Sequence, residues 1–115
     1  MNKRRRTHLH SVLDDLDKLK NVTDIAVALP LIEKSQVELR RLADEEEEAL
    51  DNRPESFQWS TANDDMNENI SDLNTAADDL ELMAADCQDS GKFDYESVKG
   101  NVIRIVNTIK RTIHR

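Results

Sequence analysis

From Met66 to Cys87 an apolar residue stands at every third or fourth position: Met66, Ile70, Leu73, Ala77, Leu80, Ala84 and Cys87. That spacing collects all of them on one side of an α-helix but scatters them over both faces of a strand. It therefore dictates a long helix with a narrow apolar seam. A second run, Ile25, Ala28, Ile32, Ser35, Leu39, Leu42, Glu46 and Ala49, keeps the same rhythm and is apolar except at Ser35 and Glu46. Leu29, Ala43 and Leu50 widen its face. Between the two runs, Asp51-Asn52-Arg53-Pro54-Glu55-Ser56 interrupts helical geometry, because the residue ahead of a proline is pushed out of the α region. Two long helices joined by a connection of about ten residues fold back antiparallel. Glu46 is expected at the connection end, with its charge reaching water.

The last segment repeats the pattern with Val98, Val102, Ile105, Ile109 and Ile113, flanked by Ile103 and Val106. Gly91 suits a left-handed helix cap, Asp94 an N-cap, and Phe93 a staple onto Val98. Gly100 and the β-branched residues favour a strand instead, but the heptad rhythm decides for helix. Near the start, Leu9, Val12, Leu13, Leu16 and Leu19 make a short amphipathic helix. Asn21 ends it on one reading, with Thr23 capping the next helix and Val22 and Val27 as its staple. One helix from Thr7 to Leu50, kinked at Pro30, is the alternative. The expected fold is all-α, a long antiparallel helical hairpin with flanking N- and C-terminal helices forming a three- to four-helix bundle. The helices are expected over 8–20, 24–50, 62–89 and 94–114, in a single helical domain (8–115) behind a disordered basic arm (1–7).

Composition narrows the functional classes. The chain has 115 residues, one domain's worth, and only two glycines and four aromatics, which argues against an all-β domain. A single cysteine excludes an internal disulfide framework and a multi-cysteine zinc site. No apolar run approaches 18 residues and the basic start leads into no apolar segment, so the expectation is a cytoplasmic chain without membrane contact. No catalytic constellation, cofactor motif or metal-ligand spacing is present. Cys87 sits on the apolar seam as a small hydrophobe. His8 and His10, two apart, fall on different helix faces. Asp86 to Gly91 begins like a calcium loop, but Gln88 replaces an acid and Ser97 the closing glutamate. The chain is expected not to be an enzyme.

Charge is sorted along the sequence. Residues 43–96 hold eighteen acids against two bases, Arg53 and Lys92, while residues 97–115 hold five bases and no acid; the whole chain is −8. Asp65, Asp72, Asp79 and Asp86 recur every seven residues beside the seam, with Glu68 and Asp89 at an intervening offset. One reading is a solvated stripe along which the basic C-terminal helix lies, Arg104 and Arg111 matching the acids and setting register. The sharper reading is a nucleic-acid decoy. Residues 62–88 carry eight acids over about 40 Å of helix, and the hairpin partner adds seven from Asp44 to Glu55. A duplex presents roughly 24 charges over that length, so the density is closer to a single strand. The candidate partner-binding residues are Asp65, Glu68, Asp72, Asp79, Asp86 and Asp89 with Glu45 and Glu48. Trp59 and Phe57 form a candidate aromatic anchor, against the competing view that they plug the bundle end. Direct nucleic-acid binding is disfavoured by the acidic middle.

The stretch Arg41 to Leu80, RLADEEEEALDNRPESFQWSTANDDMNENISDLNTAADDL, resembles small uncharacterised proteins of phages and mobile elements. They share an acidic helix, an Asn-x-Pro-Glu-Ser turn (here Asn52 to Ser56) and a second acidic amphipathic helix. The likeness covers roughly 41–88. It implies a helical hairpin and a mobile-element origin, and no activity. The expected function is a non-enzymatic protein-binding module, an inhibitor occupying the basic surface of a nucleic-acid-handling host protein. The competing expectation is a self-associating coiled-coil-like module, a homodimer closing the wide apolar face of the C-terminal helix.

Overall fold

Each periodic segment forms a helix in the computed structural model, which describes residues 1–54 and 60–115. Helix α1 (Lys3–Lys18) runs into a 3-10 turn at Leu19–Asn21, followed by α2 (Ile25–Asp51), α3 (Thr61–Ser90) and α4 (Tyr95–His114). No strand occurs among the described residues. Helices α2 and α3 form the antiparallel hairpin; α1 lies along α2, α4 along α3, and α1 meets α4 to complete an all-α four-helix bundle.

The helix ends follow from local chemistry. The Ser60 side chain accepts from the Asn63 N–H and Asp94 from the Glu96 N–H, each satisfying a donor with no partner inside the helix. Gly91 ends α3 at φ 70°, a left-handed conformation that costs glycine little. Pro30 lies in the second turn of α2 and the helix continues through it. Residues 22–24 are not helical, so α1 and α2 are separate helices rather than one kinked rod. The cap of α2 is Asp24, whose side chain accepts from the Ala26 N–H. Val27 is 51% exposed, so it packs no staple there.

The seams lie where their spacing puts them. Met66, Leu73, Ala77, Leu80, Ala84 and Cys87 are buried, facing a core that includes Ile32, Leu39 and Leu42 of α2. Leu9, Val12 and Leu16 of α1 and Val102, Ile105, Ile109 and Ile113 of α4 close that core, with Phe93 at one end. Each fully buried leucine or isoleucine contributes about 1.5–3 kcal/mol. The apolar face of α4 is thus covered within a single chain. Ile103 alone among its aliphatics stands largely exposed, at 48%.

Two expectations are corrected. The basic run Lys3-Arg4-Arg5-Arg6 is no disordered arm but the first turn of α1, capped by Asn2, whose side chain accepts from the Arg5 N–H. Arg4 pairs with Glu45, and Arg5 Nη2 lies 3.8 Å from Glu46 Oε1. Charge pairing to α2 orders a segment that composition alone leaves unstructured. For the same reason Glu46 does not reach water. The start of α1 lies over it, and its exposure is zero.

Candidate functional site

The acidic stripe is divided by its neighbours. Asp79 Oδ2 lies 3.4 Å from Arg104 Nη2, and Asp72 Oδ1 lies 3.8 Å from Arg111 Nη2. Arg115 Nη2 donates to Asp72 Oδ2 at 3.0 Å, and its Nε lies 3.1 Å from Glu68. The heptad match of Arg104 and Arg111 to the acids is therefore realised, and three of the candidate residues serve to hold α4. Glu45 is engaged by Arg4 and Arg41. On the other edge of α3, Arg40 donates to Asp78 Oδ1 at 2.5 Å and Glu81 Oε2 at 3.2 Å, fixing the register of the hairpin. Exposed pairs of this kind contribute about 0–1 kcal/mol each, so they specify alignment more than stability. The Arg41 hydrogen bond holds the Glu38 carboxyl below its usual range. Glu38 therefore stays ionised, and its contribution persists above the ordinary carboxylate value and is lost as pH falls through the lowered one.

The rest of the candidate set is free. Asp65, Asp86, Asp89 and Glu48 make no ion pair among the described residues; Asp65 is half-buried and the others exposed. They fall in two groups, one at each end of α3, separated by the stretch that α4 and Arg40 occupy. Their neighbours Asp44, Glu47, Asp51 and Asp64, counted in the charge of the decoy surface but not singled out as partner-binding residues, are all exposed and unpaired among the described residues. With Glu48 and Asp65 these acids surround the closed end of the hairpin. Asp51 and Asp64 lie beyond the last residues that α1 and α4 engage through ion pairs, Glu46 on α2 and Glu68 on α3. Phe57 and Trp59, the candidate anchor, lie outside the described residues.

The acids of α2 are placed against local stability. Its last turn carries no base, so Glu47, Glu48 and Asp51 face the negative end of the helix dipole, a cost of about 0.3–1 kcal/mol for each exposed charge. Asp44 with Glu48 and Glu47 with Asp51 are like charges four apart, each pair unfavourable by a further few tenths of a kcal/mol. A signal was present in the sequence: an acidic run placed directly ahead of a helix stop.

No cluster of three or more metal-ligating side chains occurs among the described residues, and no helix is long and apolar enough to cross a membrane. Burial raises the Cys87 thiol above its ordinary value, with Asp86 adding to the shift. At pH 7.5, Cys87 in the folded protein is expected to react with a disulfide reagent about tenfold or more slowly than in denaturant. A stopped-flow absorbance trace measures this, and equal rates would place the thiol at the surface. Comparison with protein-family models, curated proteins and solved structures gave no match.

Proposed function

We propose that the chain is a non-enzymatic protein-binding module that presents the acidic end of its hairpin to a basic surface on a nucleic-acid-handling protein. The observation that carries this reading is the group Asp44, Glu47, Glu48, Asp51 and Asp64, exposed and unpaired among the described residues. Those on the last turn of α2 stand where the helix dipole and their own repulsion oppose them. Charges kept at a cost to the fold fit a role outside it. The resemblance of residues 41–88 to small phage and mobile-element proteins implies an origin and no activity, and it supports only the choice of a host protein as the target.

The paired state of Asp72 and Asp79 reshapes the decoy idea. A continuous row imitating the phosphates of a duplex is not available, because α4 occupies its middle. What remains is a compact anionic knob suited to a cationic pocket. Binding through it is steeply salt-dependent, since several ion pairs weaken together as the Debye length falls from about 10 Å at 0.1 M salt to about 3 Å at 1 M. The test uses the wild type and a Glu47→Lys/Glu48→Lys/Asp51→Lys variant as parallel baits in a bacterial lysate, with retained proteins identified by mass spectrometry. A basic nucleic-acid-binding protein is expected on the wild type alone, released by added DNA or RNA. Retention by both baits, or simultaneous binding of nucleic acid by the captured protein, would overturn the reading.

A further inference from the structure

The ion pairs of the bundle leave one of its sides without counter-charge. Helix α1 pairs with Lys34, Glu38 and Glu45 of α2, and α4 with Glu68, Asp72 and Asp79 of α3. The rows of α2 and α3 that meet along the outside of the hairpin are different ones. On α2, Glu33, Val37, Arg40, Asp44, Glu47 and Asp51 follow one another at 4-3-4-3-4 spacing, which keeps them on one helix face. On α3, Leu82, Asp89 and Asp64 stand 4, 11 and 14 places from Asp78, offsets that also share a face. Arg40 joins the two rows through its bonds to Asp78 and Glu81. With Glu81 these rows hold eight acids against Arg40 alone, close to the whole −8 of the chain. All eight are exposed, and six of them make no ion pair among the described residues.

Charge alone would describe a solvated face, but this one also carries Val37 and Leu82. Each is 65% exposed, more than any other large aliphatic side chain among the described residues. Val37 lies one turn from Arg40 and Leu82 one turn from Asp78, so the two aliphatics flank the bridge between the helices, one on each helix. Acids extend beyond this apolar centre in both directions, Glu33 and Asp89 one way, Asp44 and Asp64 the other. An apolar centre inside a charged rim is the anatomy of a protein interface. We propose that this face receives a basic amphipathic helix of a partner protein, its aliphatic side chains on Val37 and Leu82 and its lysines and arginines against the flanking acids. A helix suits the site because the groove between two antiparallel helices accepts a third along its length, as when amphipathic helices dock into grooves. From Glu33 to Glu47 the row runs about 21 Å, the length of four helical turns. The inference rests on the basic partner of the proposed function and names the element of that partner which docks.

The probe is a fluorescein-labelled peptide of about 18 residues, long enough to form a helix on contact, with leucines at 3–4 spacing and lysines elsewhere. Its affinity is read by anisotropy in about 0.15 M salt. The wild type is compared with Val37→Gln/Leu82→Gln and with Val27→Gln/Ile103→Gln, which removes the other two exposed aliphatics among the described residues. Glutamine is a good helix former, and circular dichroism checks that both variants keep their helicity. The first variant is expected to bind about tenfold or more weakly, because two aliphatic contacts are lost while every acid is retained. The second is expected to stay within about twofold of the wild type. A peptide of the same composition, with its leucines spread around the helix, is expected to lose about tenfold as well. A wild type that does not bind the peptide, equal affinities for the wild type and Val37→Gln/Leu82→Gln, or equal affinities for the two peptides would each overturn the proposal. Self-association of the wild type without peptide, abolished in Val37→Gln/Leu82→Gln, would assign the face to a second copy and overturn it too. Both variants keep Glu47, Glu48 and Asp51. A Val37→Gln/Leu82→Gln bait that still retains the basic partner from a lysate would therefore remove this face and leave the proposed function standing.

Discussion

Leu73→Asp leaves the chain without a cooperative fold at room temperature, whereas Asp79→Ala costs about 1 kcal/mol or less. Leu73 has zero exposure midway along the seam of α3. A carboxylate there has no cation within the apolar core, and burying it unpaired costs several kcal/mol even after it takes up a proton. A domain of this size is typically stable by about 5–15 kcal/mol, and the lost leucine packing adds to the deficit. Asp79 makes one bridge to Arg104, whose side chain is 62% exposed, and such a bridge contributes little. Thermal melts followed by circular dichroism measure both. Equal melting temperatures would mean that the helix faces have been exchanged.

The second large effect belongs to the pair Arg5 and Glu46. The Glu46 carboxylate is fully buried, neither of its oxygens has a hydrogen-bond partner among the described residues, and Arg5 Nη2 lies 3.8 Å from its Oε1. Breaking such a pair from one side strands the remaining charge, and Arg5→Ala is expected to cost about 3–5 kcal/mol. Replacing both partners by apolar residues of similar volume, Arg5→Met with Glu46→Leu, removes the desolvation of two ions and is expected to be neutral or stabilising. Urea titrations of the single and double variants give the comparison. A double variant as unstable as Arg5→Ala would mean that the pair is held by interactions beyond its mutual charge. Arg5 and Glu46 are therefore better understood as specifying where α1 docks than as stabilising the fold.

The hairpin was legible because its periodicity is nearly unbroken. Once Leu73 and Leu80 share a face, Ala77 and Ala84 must share it too, and the same logic placed Leu39 and Leu42 opposite. The match of Arg104 and Arg111 to Asp79 and Asp72 could also be anticipated, since both spacings are seven. Glu46 was misplaced because its exposure depends on α1, which reaches it across 41 positions of sequence, from Arg5. No local pattern reports that approach. The basic start was misjudged for the same reason: a run of like charges looks disordered until its counter-charges are brought beside it. The free acids at the hairpin end were obscured differently. Periodicity selects rows along a single helix, whereas these acids are divided between the last turns of α2 and the first turns of α3, which only the hairpin places at one end.

The bundle measures 51 × 22 × 20 Å, and its radius of gyration is 15.3 Å, against about 13 Å for a globular chain of this length. A rod more than twice as long as it is wide experiences more friction than a sphere of equal mass. It leaves a sizing column ahead of globular standards and tumbles faster about its long axis than end over end. Apparent size from diffusion alone would therefore imitate an assembly where there is one molecule. Nuclear relaxation would differ between amides pointing along the helices and those pointing across them, so the orientation of each helix is readable from the hydrodynamics of a single chain.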